Sequence, residues 1–257
     1  MAICLVPPLM ALSYRGTSAV IDVVAADPWC AIKRRGIFAT PALGGLQEEH
    51  MPKSPSARSR AKPAPRMPSP RLPVVALDSL TPEQQALVEA IKSGPRGRFS
   101  NDGPFAVYLQ APAFGQLAQQ LGAHLRFGTS VPPRLAEVAI LFTAQYWKAQ
   151  YEWAAHAVFA ARHGVKESTI RDLQAGRAPK SAARDEQAIH ALVKELYATR
   201  RVSNATYARV HKLLGDAGTV ELVGMLGYYV MVSMILDAFR MPAPEGTPAP
   251  FREPGSK

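Results

Sequence analysis

The sequence predicts an all-α fold of seven or eight helices for residues 72–251. Apolar residues recur at helical spacing in successive stretches, and the gaps between these stretches carry Gly, Pro or capping residues. No segment alternates apolar and polar residues as a half-buried strand does. The chain has 257 residues, 47% of them hydrophobic, which suffices for one large core.

The first helix carries a complete start signal. Thr81 can cap it, Pro82 suits its first position, and Gln84 completes a capping box. Gly94 and Pro95 stop it. The same reasoning from apolar stripes and stop signals predicts the later helices in order: 112–127, 133–147, 152–162, 166–174, 181–200, a helix capped by Ser203, and a last one over about 219–239.

Residues 1–71 are predicted to be a disordered, basic, Pro-rich tail. Residues 51–73 contain seven prolines and six basic residues but no acidic one. Such a composition buries too little apolar surface to offset the entropy of ordering the chain. A further hypothesis is that residues 1–50 come from an over-extended start, with the protein beginning near Met51. Residues 72–251 then form the helical domain, and 252–257 a flexible C-terminus.

The distributions of charged residues and of cysteines limit the classes of function that the chain can have. The net charge of +10 divides into +6 for residues 1–74 and +4 for the rest. No aromatic residues are interleaved with the basic ones of the tail, so we interpret it as solvated and predict no nucleic-acid partner. Cys4 and Cys30 both lie in the tail. The domain therefore has no disulfide framework and no thiol, as is compatible with the cytoplasm.

The last predicted helix holds the longest uncharged apolar run. Residues 222–236 form this run of 15 residues, whereas a membrane span needs about 20. We therefore predict a buried or subunit-interface helix and no membrane partner. Tyr228 and Tyr229, which lie in this run, are interpreted as core residues.

The candidate catalytic residues are Glu152 and His156. They are four apart in a predicted helix and therefore share a face. A carboxylate beside an imidazole fixes its tautomer and favours its protonated form, so the pair can exchange a proton near neutral pH. Neighbouring aromatic residues are predicted to wall a small pocket that excludes water: Tyr146, Trp147, Tyr151 and Trp153.

Spacing alone leaves two other interpretations of this pair open. Glu152 and His156 can form a stabilising helix contact worth about 0.2–0.5 kcal/mol. With Glu137 as a third ligand they can also bind a metal ion. Because no second paired His accompanies them, we predict neither a metal nor another cofactor.

The order of motifs resembles the carboxymuconolactone decarboxylase family over nearly all of residues 72–251. This resemblance implies an all-helical fold similar to that of AhpD-type alkylhydroperoxidases, and a homo-oligomer, either trimer or hexamer. The order is more specific for the family than for any one activity. The matching stretches are residues 81–84, 103–105, 111–112, 134–137, 152–156, 163–165, 202–207 and 227–229.

The resemblance also distinguishes two types of reaction, thiol-dependent hydroperoxide reduction and decarboxylation. In AhpD-type enzymes a Cys-x-x-Cys pair lies just before a shared His, and a Glu lies upstream. The His corresponds to His156 and the upstream Glu to Glu137, but the two cysteine positions fall on Ala149 and Glu152. A chain with no thiol there has no peroxidatic nucleophile.

The resemblance therefore implies a carboxy-lyase that acts on 4-carboxymuconolactone or a related small carboxylated lactone from aromatic-compound breakdown. His156 is expected to donate the proton, with Glu152 as its orienting partner and Glu137 as a supporting carboxylate. Arg134, near a helix start, is expected to bind the substrate carboxylate, and Arg126 is another candidate. Two alternatives are an AhpD-like, peroxiredoxin-type hydroperoxide reductase and a non-catalytic oligomeric binding protein.

Overall fold

The computed structural model describes residues 69–247 and 249–252, and all of these are in helices, turns or irregular segments without strands. The predicted all-α fold is confirmed. Residues 1–68 of the predicted tail, both cysteines and residues 253–257 lie outside the described residues. Residues 69–71 of that tail are described, and Arg71 donates its backbone N–H to Phe239 at 3.0 Å. The helices are α1 Pro82–Ser93, α2 Gly103–Tyr108, α3 Pro112–Ala123, α4 Pro133–Trp147, α5 Gln150–Arg162, α6 Glu167–Gln174, α7 Arg184–Thr199 and α8 Asn204–Ala238.

Helix α4 is the centre of the main core. It packs against α5, α6, α7 and α8, and Val138, Ala139, Leu141 and Ala144 are fully buried. Lys148 ends α4 in the left-handed conformation with φ 57°. Only Lys148 and Ala149 separate α4 from α5, so α5 lies directly against α4.

A second, smaller core joins the first three helices. Leu87, Ile91, Tyr108 and Leu109 are buried in it. The predicted capping box of α1 is present, because Thr81 accepts from the Gln84 backbone N–H at 3.3 Å and its own N–H donates to the Gln84 side chain. Helix α2 was not predicted from the sequence, since it has only six residues and begins at a glycine.

Helix α3 ends in a π-helical turn, His124–Gly128, which leads towards α4. Glu221 of α8 holds the segment that follows this turn. Its Oε2 accepts from the Ser130 backbone at 2.7 Å and from the Thr129 hydroxyl at 3.0 Å, while its Oε1 lies 3.1 Å from His124 Nε2. The turn is therefore tied to α8 on both sides of Arg126.

Helix α8 contains a break at Gly215, which has φ 66° and ψ −170°. Among the described helices, it is the one that is long and apolar enough to cross a bilayer by length and composition. Core helices meet the same criteria, and half of its most apolar window is buried, including Leu222, Met225 and Leu236. These criteria therefore do not by themselves indicate a membrane span.

Candidate active site

His156 lies on α5 between two buried carboxylates. Its Nδ1 is 2.7 Å from Glu137 Oε2, and Glu137 is on α4. Its Nε2 is 3.0 Å from Glu152 Oε1, one turn earlier on α5. All three residues are only 4% exposed. The structure thus brings together the three residues that the sequence indicated for proton transfer.

The two carboxylates set the protonation state of His156. Burial by itself lowers the pKa of the imidazole, but the charges and hydrogen bonds of Glu137 and Glu152 outweigh it and raise the pKa of His156 to about 9. At neutral pH the ring is therefore an imidazolium, which donates from Nδ1 to Glu137 and faces Glu152 with Nε2. The cluster therefore holds a proton on a buried imidazole.

Two aromatic rings pack against the imidazole. Tyr229 of α8 meets it edge-on at 5.1 Å between ring centroids, and Phe159 lies 5.7 Å away. His163, whose side chain is 40% exposed, places its Nδ1 3.7 Å from Glu137 Oε1. His163 therefore links the buried carboxylate of Glu137 to the protein surface.

Two arginines lie near Phe127: Arg126 of the π-helical turn also contacts the cluster, whereas Arg96, in the loop after α1, lies next to Arg126. Arg126 Nη1 lies 3.5 Å from His156 Nε2, and its Cζ lies 4.0 Å from the centroid of Phe159. Arg96 Cζ and Arg126 Cζ lie on the same ring, 5.7 and 5.6 Å from the centroid of Phe127. Burial lowers the pKa of Arg96, and the nearby charge of Arg126 lowers it further.

Three buried tyrosines lie near Glu152, and one of them, Tyr229, contacts His156. Tyr108, Tyr228 and Tyr229 are buried. Burial raises the pKa of each hydroxyl, and the charge of Glu152 contributes in the same direction. All three therefore stay neutral, and they can donate hydrogen bonds to an oxygen atom placed beside them.

The other residues predicted to bind substrate make contacts elsewhere. The guanidinium of Arg134 is bound to Asp185 and Glu186 at the start of α7, at 2.5 Å each. Tyr146 is 55% exposed and packs on Tyr197. None of Arg134, Tyr146, Trp147 and Trp153 has a hydrogen bond or ring contact with the Glu137–His156–Glu152 cluster among the residues that the structure describes.

The sequence did not reveal several residues that the structure places at the site. Arg96 lies in a Gly/Arg-rich loop, where no periodicity exists to indicate its direction. Phe159 is a ring one turn after His156, at the (i, i+3) spacing that signals contact on a helix. Tyr229, which the sequence indicates mainly as a core residue with pocket lining as the alternative, packs on His156. Arg126, considered alongside Arg134, is the arginine that lies next to His156.

A separate cavity of about 530 Å³ lies between the two ends of the described chain and α2. None of Glu137, Glu152 and His156 lines it. Its walls include Leu72, Asp102, Tyr151 and Pro242. Over residues 69–247 and 249–252, no group of three or more His, Cys, Asp or Glu residues is arranged to hold a metal ion.

Comparison with known proteins identifies the fold. No family model matches the chain, and no curated protein matches its sequence. Among solved structures, it matches a crystal structure titled as the alkylhydroperoxidase AhpD core, an uncharacterized peroxidase-related protein from Ralstonia eutropha JMP134. The TM-score is 0.58 at 14% identity, over 69% of this chain and 94% of that chain. The domain thus has the AhpD-like fold, as the resemblance implied.

Proposed function

We propose that this protein is a carboxy-lyase of the carboxymuconolactone decarboxylase type. Its substrate is a small carboxylated lactone or a related intermediate of aromatic-compound breakdown. The observation that carries the proposal is the buried Glu137–His156–Glu152 cluster, which holds a proton on an imidazole between two carboxylates. A merely stabilising pair on a helix surface would not need the second carboxylate from α4.

The chemistry requires one proton at the right place. When the bond between the substrate and its carboxylate carbon breaks, carbon dioxide leaves and the electron pair stays on the substrate, where the lactone carbonyl delocalises it. The carbanion that remains on the substrate then takes up one proton. The imidazolium of His156 supplies it, and Glu137 keeps the ring oriented through Nδ1.

Glu152 has a more direct role in this mechanism than orienting the ring. Both ring nitrogens of His156 face carboxylates, and Arg126 also lies beside Nε2, so we place Glu152 between the ring and the reacting carbon of the substrate. Glu152 therefore takes the proton from Nε2 and passes it to the substrate carbon, after which His156 is reprotonated from solvent. The exposed edge of His163 beside Glu137 supplies a route for that proton.

Substrate entry requires side chains to move, because His156 is 4% exposed. We place the entrance at the π-helical turn, since Phe127 is half exposed and Arg126 is partly exposed there. Closure behind the substrate would exclude water from the proton-transfer step.

The test is turnover of 4-carboxymuconolactone by the purified full chain. We expect His156→Ala to abolish turnover while far-UV circular dichroism stays unchanged. His211→Ala is the matched control, since His211 pairs only with exposed Asp216 and stacks on Tyr207. Inactivity of the wild type on this lactone would remove the substrate assignment and leave the fold.

Hydroperoxide reduction is the second candidate, because the matched crystal structure is titled a peroxidase-related protein. That reaction in AhpD-type enzymes uses thiols, and the only two cysteines of this sequence are Cys4 and Cys30. We expect no hydroperoxide reduction that depends on the helical domain. Activity that survives replacement of both cysteines by Ser would favour this candidate instead.

The proposal includes self-association in the cytoplasm. Large apolar side chains on α3 are exposed, namely Phe114, Leu117 and Leu121, and so are Val220 and Val223 on α8. A monomer rarely leaves so much apolar surface in water, so we propose that a further copy of the chain covers it in a trimer or hexamer. Light scattering that finds a monomer at micromolar concentration would contradict this.

A further inference from the structure

Arg96 and Arg126 have no acidic partner in the part of the chain that the structure describes. Neither guanidinium forms an ion pair with Asp or Glu within 4.0 Å there. Arg96 Nε is buried and lacks any hydrogen-bond partner. A guanidinium withdrawn from water without a counter-ion is costly, so this arrangement suits a site that an anion completes.

The charges around His156 also favour the binding of an anion. Glu137 and Glu152 are both engaged with the imidazolium. With Arg96 and Arg126, these five side chains comprise three positive groups and two negative ones, and Arg162 adds a further positive charge over Phe159. This excess of positive charge suits a carboxylate.

The surroundings of the two arginines favour a flat organic anion over a hydrated inorganic one. Arg96 lies over Phe105 and Phe127, with its Cζ 5.0 Å from the Phe105 centroid. Arg126 lies between Phe127 and Phe159. Aromatic rings pack against each guanidinium and take up none of its N–H donors through an ion pair, so these donors can bind a carboxylate.

We propose that Arg96 and Arg126 together bind the carboxylate of a ring-sized organic acid beside His156. The proposal rests on the proposed function in that it specifies how the substrate of that site is held. It assigns a role to Arg96, which lies 60 residues before His156 in the sequence. The carboxylate accepts hydrogen bonds from N–H groups of both guanidiniums, and the ring of the ligand lies among the aromatic side chains.

The test uses benzoate as the probe and benzamide as its uncharged counterpart, with binding measured by isothermal titration calorimetry at low salt. We expect benzoate to bind saturably and benzamide to bind at least roughly 10-fold more weakly, because benzamide lacks the charge that strengthens a hydrogen bond from a guanidinium. Equal affinity for the two compounds, or no benzoate binding, would overturn the proposal.

Variants locate the site. We expect Arg96→Gln and Arg126→Gln each to weaken benzoate binding at least roughly 10-fold, and Arg171→Gln, in an exposed pair with Glu167, to leave it unchanged. Because Arg96 has a buried Nε and Arg126 does not, the Arg126 variant is expected to fold even where the Arg96 variant does not. Benzoate should also shift the ring resonances of His156 in the wild type. Unchanged affinity in Arg126→Gln would overturn the proposal.

These outcomes separate the anion site from the decarboxylase function. Benzoate binding that depends on Arg96 and Arg126, without turnover of 4-carboxymuconolactone, supports the site and rejects the function. Turnover whose KM is unchanged in Arg126→Gln supports the function and rejects the site.

Discussion

Glu137 Oε2 lies 2.7 Å from His156 Nδ1, although 19 residues separate the two in the sequence. The contact exists because Lys148 ends α4 in the left-handed conformation and α5 packs directly on α4. By contrast, Glu152 meets the other ring nitrogen through the geometry of a single helix turn. One partner of His156 therefore depends on tertiary packing and the other on local structure.

The first prediction concerns stability against pH. The pKa of His156 is raised in the folded protein to about 9 from its ordinary 6.5. The resulting stabilisation is fully present below pH 6.5 and is lost as the pH rises through 9. We expect the free energy of unfolding to fall by about 3 kcal/mol across this window. Urea denaturation between pH 6 and 9.5 measures it.

His156→Gln should flatten this part of the stability profile. His211→Gln should not, because the His211 side chain is 41% exposed and pairs with exposed Asp216. A wild-type profile that stays level from pH 6.5 to 9 would mean that the imidazole is neutral in the folded protein. The groups that face it are Glu137 and Glu152, with Arg126 Nη1 at 3.5 Å.

The second prediction separates the roles of the two carboxylates. Both Glu137→Gln and Glu152→Gln should lower the pKa of His156, since each removes one negative charge beside the ring. Only Glu152→Gln removes the group that passes the proton on, so we expect it to lower kcat by about 100-fold or more. Glu137→Gln keeps an oxygen acceptor for Nδ1 and should mainly shift the pH profile.

The measurements for this pair are NMR titration of the His156 ring and the pH dependence of kcat. Glu167→Gln is the control, because Glu167 is exposed and contacts only Arg171 of its own helix. Equal losses of kcat in both active-site variants, with the same pH profile, would argue against a relay through Glu152.

The helices were predictable wherever the sequence carries explicit stop and start signals. Thr81 and Pro82 begin α1 as expected, and Ser203 caps α8 through the backbone N–H of Thr206. The Glu152–His156 contact was predictable as well, because helix spacing dictates it. Arg96 was not, since nothing in a sequence specifies the path of a loop that returns to a distant helix.

Helix α3 shows a different limit of sequence periodicity. Phe114, Leu117 and Leu121 recur at helical spacing, yet all three are exposed. The buried face instead carries Gly115 and Gly122. A Cβ at Gly115 would lie 2.7 Å from Tyr108 Cβ, so the small residues allow a close approach that larger ones would prevent. Periodicity reveals that a helix has two faces, but packing decides which one is buried.

The third prediction follows from that close approach at Gly122. A Cβ there would lie 2.1 Å from Tyr228 Oη and 3.1 Å from Arg96 Nη2. Gly122→Ala must therefore displace both groups. We expect a cost of about 1–3 kcal/mol from overpacking, offset in part by the better helix propensity of Ala, about 1 kcal/mol. Benzoate affinity should also fall, because Arg96 moves.

Gly224→Ala is the matched control for this substitution. Gly224 lies in α8, and a Cβ there meets no atom within 4 Å. It should stabilise the protein by up to about 1 kcal/mol and leave benzoate binding unchanged. Thermal unfolding measures the stability of both variants, and isothermal titration calorimetry measures their affinity for benzoate. A Gly122→Ala protein that matches its control in both measurements would show that Tyr228 and Arg96 do not pack against this position.

The fourth prediction concerns Glu221, which acts on the site through the π-helical turn. Hydrogen bonds from Ser130, and secondarily from Thr129 and His124, lower the pKa of Glu221 to about 2. Its ionised form therefore persists until the pH falls through about 2. We expect Glu221→Ala to accelerate amide exchange at Thr129 and Ser130, and to weaken benzoate binding several-fold because Arg126 is less firmly positioned.

Glu221→Gln tests whether position or charge matters. In the wild type, Glu221 Oε2 accepts the Ser130 backbone N–H at 2.7 Å. The amide of Gln keeps one oxygen for this hydrogen bond. Glu221→Gln should therefore retain part of the exchange protection and of the benzoate affinity that Glu221→Ala loses. A general structural role would change the unfolding temperature equally in both variants without restoring benzoate affinity in Gln. Affinity that is unaffected in Glu221→Ala would mean that the turn holds Arg126 in place without help from α8.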